Sequence, residues 1–360
     1  LPNMIHGKGL RSPHAHAKIL SVDVSAALAL SGVFAAISGA DFPGGGIEGE
    51  VGGEGGGTLD DVAKNVMARD KVLYHGHAVA AVAAATPMAA QAALAAIKVE
   101  YEPLAPVLDV LQAMQPDATL VDENNYTKLP EKPEHPSNVA NQGRLERGSI
   151  EEGFAAADVV VEREFKCPMA HQGYIEPQAC VASIDEQGRG TLWCSTQGHF
   201  EFRAATSKML GKDLSDLKVV PKEIGGGFGG KTVVYLEPLA VLLSEKSGRP
   251  VKMALNREEV FRATGPASAS VARIKVGAKR DGTITAAHAW IAYEAGAFAG
   301  APYMPGAMAV FAPYQLENFL VETFDVLVNK PKVAAYRAPG APQSMHAFEC
   351  ALDEIAQLLD

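Results

Sequence analysis

One run of glycines constrains the fold of this chain more than any other stretch: Gly225–Thr232 reads G-G-G-F-G-G-K-T. It satisfies G-x-x-x-x-G-K-[ST], the loop that cradles nucleotide phosphates between a buried parallel strand and a helix starting at its Gly-Lys-Thr. Neither flank suits that role. The preceding residues, Lys218–Ile224 (K-V-V-P-K-E-I), include Pro221, which lacks a ladder donor and belongs at an edge, an end or a bulge. They also put Lys222 and Glu223 where both sheet faces should be apolar. Beyond the loop, Pro238 inside the required helix would cost about 3 kcal/mol or more. A helix starting near Glu237, with Pro238 in its first turn, fits better. The best Walker-B partner, Trp290–Glu294 (W-I-A-Y-E), ends in Glu and opens into a glycine run. A P-loop NTPase therefore stands as an alternative that its neighbours argue against.

The glycines still need a reason. Five of them within Gly225–Gly230, broken only by Phe228, call for positive φ or a close backbone approach. A tight turn against another strand ordinarily needs one or two. A ligand presented to bare backbone N–H groups is the preferred explanation.

At 360 residues two or three domains are expected, and 48% hydrophobic content supports sizeable cores. The 42 acidic and 32 basic residues give a net charge of −10, which argues against a nucleic-acid or anionic-membrane surface. No apolar run is long enough to span a bilayer. The opening L-P-N-M-I-H-G-K carries no signal-peptide pattern, and the lack of an initiator Met suggests an upstream segment cut away. Cys167, Cys180, Cys194 and Cys350 are scattered, with no C-x-x-C pair. That argues against a disulfide scaffold, a zinc ribbon or an iron–sulfur site in this chain, and points to reduced thiols in a cytoplasmic protein.

Ala17–Val22, Gly32–Ile37, Ala78–Ala85 and Lys98–Tyr101 read as strands, and Gly44–Gly57 as a flexible, acidic glycine loop. Thr86-Pro87 supplies an N-cap and a first-turn proline for a helix through about Ile97. This α/β unit ends near residue 125, and the polar stretch Asp122–Arg144 reads as a linker. Later, Val159–Phe165, Cys180–Ile184 and Gly190–Ser195 read as strands. Phe154–Asp158 reads as the end of a short helix, and Phe200–Leu210 and Leu239–Leu243 as helical. Val271–Gly277 and Thr283–Tyr293 alternate like strands joined by the Arg280-Asp281-Gly282 turn. Ala347–Asp360 is an amphipathic helix without a C-cap, as if the chain were interrupted there. The mixed order favours α+β.

These residues also resemble a known family, the molybdenum-binding large subunit of the xanthine dehydrogenase and aldehyde oxidoreductase group. The likeness is carried by His6–Ile19 (H-G-K-G-L-R-S-P-H-A-H-A-K-I), Lys71–Val82 and Val99–Leu108. It continues through His171–Pro177 (H-Q-G-Y-I-E-P), Ser195-Thr196-Gln197, Gly225–Lys231 and Ala335–Gln343 (A-Y-R-A-P-G-A-P-Q), in the family's order. The resemblance implies an a/b hammerhead domain at 1–125, a linker at 126–146, and the first part of the mixed α/β molybdenum cofactor-binding region at 147–360. It implies a molybdopterin, of the cytosine dinucleotide type, holding molybdenum. Gln197 would approach the metal's oxo group, Gly227, Phe228 and Gly229 would set backbone against the cofactor, and Arg337 would lie on its other side. Thr232 and Pro339 fall at substrate-pocket positions. Members acting on purines have a Glu where Thr232 stands and a stacking aromatic where Pro339 stands. Carbon monoxide dehydrogenases have a copper-binding Cys at the position of Ala338. Xanthine and carbon monoxide are therefore disfavoured as substrates.

The implied reaction is hydroxylation of an aldehyde or N-heterocycle carbon with oxygen from water. Its electrons would leave through partner iron–sulfur and FAD subunits. The family's general base, a Glu, lies beyond residue 360, so these residues alone are expected to be inactive. An inactive scaffold or assembly subunit of the same fold is a further alternative.

Single residues have plainer readings too. His14 with His16, and His75 with His77, sit at i, i+2 and could form a metal pair. Hydrogen-bonded or solvent-facing scaffold histidines are preferred, since no Cys or carboxylate cluster accompanies them. His199 could line a pocket or simply pack. Cys167 and Cys194 read as core residues rather than nucleophiles. Glu176 could be a catalytic carboxylate, but a structural hydrogen-bonding role is preferred for one unpaired acid.

Overall fold

A computed structural model of the protein describes residues 1–42, 46–51 and 57–359. The chain forms two compact units, each assembled from several stretches. The first comprises Leu1–Pro106, His171–Pro266 and Asn329–Ala335, and the second Val107–Ala170, Ala267–Val328 and Tyr336–Asp360.

The first unit is built on a mixed sheet of seven strands among the described residues. From one edge the strands run Leu217–Pro221, Gly190–Cys194, Ala179–Ile184, Val251–Ala254, Ile5–Arg11, Ala78–Ala84 and Val33–Ser38. The strand Ala78–Ala84 is buried at every position. Ala78, Ala81 and Ala83 pack into the large core with Leu239, Ala240 and Leu243, whereas Ala80, Val82 and Ala84 meet Ala90, Ala93 and Leu94. Short side chains let a helix approach each face closely, which is why this strand carries an unbroken apolar run and no polar alternation. The helix Pro87–Ala96 begins as its sequence dictates, with Thr86 accepting from the Ala89 N–H. A three-stranded sheet (Lys71–Val72, Ala17–Asp23, Lys98–Pro103) completes this part.

The acidic glycine run is more ordered than a flexible loop where it is described. Glu50–Val51 pairs antiparallel with Gly57–Thr58, and the Gly46 N–H donates to Asp60 at 3.0 Å. Residues 44, 45 and 52–56 of that run lie outside the described residues.

The second unit holds a five-stranded sheet ordered Val159–Cys167, Ser270–Ala278, Ile284–Gly296, Phe319–Leu327, Val139–Arg147. Its hairpin turns at Gly282, φ +86°, as Arg280-Asp281-Gly282 requires. The stretch read as a linker ends in the edge strand Val139–Arg147, whose alternation its polar content hides. The last helix, Ala341–Leu359, starts six residues earlier than its apolar pattern suggested.

Candidate functional site

Three segments of the first unit meet at one end of three adjacent strands. Leu217–Pro221 and Gly190–Cys194 run parallel, with Pro221 opposite Cys194. Both therefore lead the chain out at the same edge: Ser195-Thr196-Gln197 from one, the glycine run from the other. The antiparallel strand Ala179–Ile184 receives its lead-in, His171–Gln178, at that same end. The crevice beyond the carboxyl ends of parallel strands is where open α/β sheets bind ligands. Pro221 sits at the last position of the sheet's edge strand, where its missing N–H costs no ladder bond.

The glycine loop is held by side-chain oxygens. Gln197 Oε1 accepts from the Gly229 N–H at 2.9 Å and the Lys231 N–H at 3.2 Å, and the Gln197 N–H donates to Lys231 O at 3.0 Å. Two backbone donors on one oxygen fix the amide's orientation and leave Gln197 Nε2 pointing elsewhere. Gln197 is exposed, and Nε2 has no partner among the described residues. At the other end Glu176 Oε2 accepts from the Gly225 N–H at 2.8 Å and from Lys231 Nζ at 2.6 Å. Lys231 is fully buried, its ammonium 5.1 Å from the Tyr174 ring centroid. Partial burial alone would raise the Glu176 pKa, but the bonds from Lys231 and Gly225 outweigh it and hold the carboxyl below its ordinary range. Glu176 is thus a clamp on the loop.

The loop's tip is strained. The Gly230 N–H closes a turn onto Gly227 O at 2.8 Å, with Phe228 at φ +52° and Gly229 at φ +104°. A bulky residue in the left-handed region costs roughly 1–2 kcal/mol, and Phe228 remains 49% exposed, so burial of its ring does not offset that cost. Most of the glycines are explained by the protein itself. A Cβ on Gly225 would lie 2.6 Å from Glu176 Cβ, on Gly227 2.4 Å from Gln197 Oε1, on Gly229 2.5 Å from Ala335 O, and on Gly230 2.8 Å from the Tyr174 ring. Close packing therefore accounts for the glycine count. It leaves over the N–H groups of Gly226, Gly227 and Phe228, which have no hydrogen-bond partner among the described residues.

The segment behind the loop is a polar truss. His171 Nε2 meets Thr264 Oγ1 at 2.8 Å, and Gln172 Nε2 donates to Gly265 O and Ala335 O. Arg257 donates to the carbonyls of Tyr174 and Ile175. Burial, then the nearby Arg257 charge, lowers His171 to about 4, so it is neutral at physiological pH.

A phosphate loop is excluded here. Lys231 is buried against Glu176 and cannot reach a phosphate, and the next helix, Glu237–Ser247, begins five residues after Thr232. Thr232 Oγ1 donates to Gly229 O at 2.7 Å, within the loop. The proposed histidine pairs part company: His16 bonds Ala105 O at 3.0 Å and His77 bonds Lys64 O at 2.8 Å, both as scaffold residues. Among the described residues no group of three or more His, Cys, Asp or Glu could hold a metal ion, and no helix is long and apolar enough to cross a membrane. His199 opens the helix His199–Met209 and packs its ring 4.1 Å from Phe200. Cys194 is buried and Cys167 half-buried.

Arg337 and Pro339 belong to the second unit, while Gln197, Thr232 and the glycine loop belong to the first. Arg337 is exposed, with no side-chain partner among the described residues. It precedes Ala338, at φ +62°, which with Phe228 and Asn3 makes up the non-glycine residues at positive φ among those described. The Lys231–Glu176 clamp is a pairing the sequence hid. Its one signal is a lysine two residues before the apolar run V-V-Y-L.

A family model described as a molybdopterin cofactor-binding domain matches residues 131–360, and one described as the a/b hammerhead domain of aldehyde oxidase and xanthine dehydrogenase matches residues 1–105. The chain belongs to this family of molybdenum hydroxylases. It corresponds to part of the large, molybdenum-binding subunit, with the α+β fold of a hammerhead domain joined to cofactor-binding region. It is 32% identical over 361 residues to a probable xanthine dehydrogenase subunit of Bacillus subtilis, covering 99% of this chain and 46% of that protein. To the nicotinate dehydrogenase large molybdopterin subunit of Eubacterium barkeri it is 30% identical over 363 residues, covering 99% and 80% respectively. Its structure matches the reconstituted CO dehydrogenase from Oligotropha carboxidovorans with a TM-score of 0.87 at 29% identity, covering 100% of this chain and 45% of that one. The chain thus spans about half the length of the first and third of these relatives.

Proposed function

We propose that the loop Gly225–Lys231 and Gln197 hold an anionic pterin cofactor carrying molybdenum, in a subunit that hydroxylates an aldehyde or N-heterocycle. The observation that carries this is the row of three partnerless N–H groups at Gly226, Gly227 and Phe228, beside an exposed Gln197 amide whose oxygen is already engaged. Such donors suit phosphate and oxo oxygens without a side-chain charge. The residues present therefore fit the group. When bound, the cofactor supplies the two-electron oxidation chemistry, and the protein supplies placement and electrostatics. Gln197 Nε2 donates toward it, Gly227 and Gly229 bring backbone close, and the strained Phe228 presents its ring to the cofactor side. Arg337, a guanidinium held free of other partners, is assigned to the cofactor's other side. Glu176 and Lys231 keep the loop's shape.

At the substrate positions Thr232 offers no carboxylate, and its hydroxyl serves the loop. Pro339 offers no ring to stack and Ala338 no thiol for copper. These side chains favour a substrate other than a purine or carbon monoxide, and the nicotinate dehydrogenase relative supports an N-heterocycle as one class. We assign turnover to the full-length subunit with iron–sulfur and FAD partners in the cytoplasm, with the cofactor as its cytosine dinucleotide. The sequential division at 1–125, 126–146 and 147–360 is proposed for the sequence families rather than for the packing units. Elemental and nucleotide analysis of the full-length protein tests this. Molybdenum with released pterin nucleotide is expected, and it should be lost in Gln197→Ala. Absence of molybdenum in wild-type protein purified from a host that makes the cofactor would overturn it and leave the inactive scaffold.

A further inference from the structure

One row of side chains crosses the seven-stranded sheet and is covered at one end only. Strand register sets Ala84, His6, Lys252, Val181, Trp193 and Val220 side by side. Their sequence neighbours Ala83, Ile5, Val251, Met253, Cys180, Cys194 and Val219 belong to the large core. Successive side chains of a strand point to opposite faces, so the row looks away from that core. At one end the helix Pro87–Ala96 covers Ala84 with Ala90, Ala93 and Leu94. At the other, Val181 and Trp193 stay half-buried, and with Met4 they line a cleft of about 490 Å³. A cleft of that size with an apolar floor suits a small molecule.

Lysines flank this floor. Lys252 lies in the row itself, and Lys222, two residues past Val220, lines the cleft beyond Trp193. Neither ammonium has an ion-pair or hydrogen-bond partner among the described residues, although the chain carries a net charge of −10. The carboxylate lining the cleft, Glu176, is already engaged by Lys231 Nζ and the Gly225 N–H, so it does not neutralise them. The Trp193 ring likewise has no aromatic or hydrogen-bond partner among the described residues. Three steps between neighbouring strands separate the strand of Lys252 from the one leading to Lys222, about 14 Å at roughly 4.8 Å each. We propose that the cleft binds a flat aromatic molecule bearing a carboxylate at each end. Its ring lies against Trp193 and Val181, and its two carboxylates meet Lys222 and Lys252. Stacking on the indole and burial of Val181 supply the apolar part, and the separated cations select the two-ended charge. A monoanion would leave one ammonium unanswered. The site stands on strand register and charge and does not rest on the cofactor reading.

The test is titration calorimetry of the full-length subunit with naphthalene-2,6-dicarboxylate, beside naphthalene-2-carboxylate as the one-ended control. Saturable binding of the diacid is expected, tighter than that of the monoacid and weakened by added salt. Lys222→Ala and Lys252→Ala should each raise the Kd about fivefold, and Trp193→Ala about tenfold. Lys252→Arg, which keeps the charge, should bind the diacid as the unaltered protein does, which separates lost recognition from lost folding. Binding of the diacid that both lysine-to-alanine variants leave unchanged would overturn the proposal, as would equal affinity for the monoacid. No saturable binding, the result expected if a polypeptide segment covers the cleft in the full-length subunit, would overturn it as well.

Discussion

Two glycine-bearing loops of this molecule are gripped by side-chain oxygens, and they differ in what they leave over. In the second unit Asp325 is fully buried and accepts from the Gly300 N–H and the Ala301 N–H, each at 3.0 Å, and from Asn141 Nδ2 at 2.7 Å. In the first unit Gln197 and Glu176 hold Gly225, Gly229 and Lys231, while the N–H groups of residues 226–228 stay without partners among the described residues. One loop closes on itself and the other holds donors outward with a phenylalanine in a left-handed conformation. Glycine number does not separate these two loops; partnerless donors do.

Substitutions can break this contrast. Asp325→Ala leaves the buried Ala301 N–H and the half-buried Gly300 N–H and Asn141 Nδ2 without this acceptor and should cost about 3–5 kcal/mol in denaturant unfolding. Asp325→Asn, which keeps an acceptor, should recover part of that, and molybdenum content per folded protein should not change. Glu176→Ala strands the buried Lys231 ammonium and should cost about 2–3 kcal/mol. It should also make the glycine loop susceptible to proteolysis, whereas Asp325→Ala should not. Acid should then weaken the first unit in two steps. Burial lowers both His77 and His171 to about 4 from 6.5, so unfolded chains bind protons first and stability falls as pH drops from 6.5 toward 4. The Glu176 clamp, whose folded pKa is depressed, contributes fully above its ordinary 4.5 and is lost below that, as pH falls through the lower folded value. Unfolding free energy measured against pH should show both steps, and His171→Gln should shrink the first. Smallest in stability is Gln197→Glu. It keeps an acceptor for both loop amides, so unfolding should shift by under about 1 kcal/mol. Loss of the amide donor should cost about 2 kcal/mol of cofactor affinity, roughly thirtyfold.

Much of this was legible in the sequence because local chemistry decided it. Thr86-Pro87 set a helix start, Arg280-Asp281-Gly282 a hairpin, and Pro221 an edge strand followed by a loop without a phosphate-loop helix. The hidden features were long-range. The strand Val139–Arg147 is polar because it lies at an edge, so it read as linker. The clamp joins Glu176 to Lys231 across 55 residues, and no spacing rule connects them. Five glycines were read as a sign of a ligand, but packing against Glu176, Gln197, Tyr174 and Ala335 explains most of them.

The account's central claim is that the N–H groups of Gly226, Gly227 and Phe228 face the cofactor. Residue-resolved amide hydrogen exchange on the full-length subunit, with and without its molybdenum cofactor, tests it most directly. Cofactor should slow exchange at residues 226–228 and leave Gly300 and Ala301 unchanged. Equal exchange at residues 226–228 in the two forms, with cofactor demonstrably bound, would contradict it.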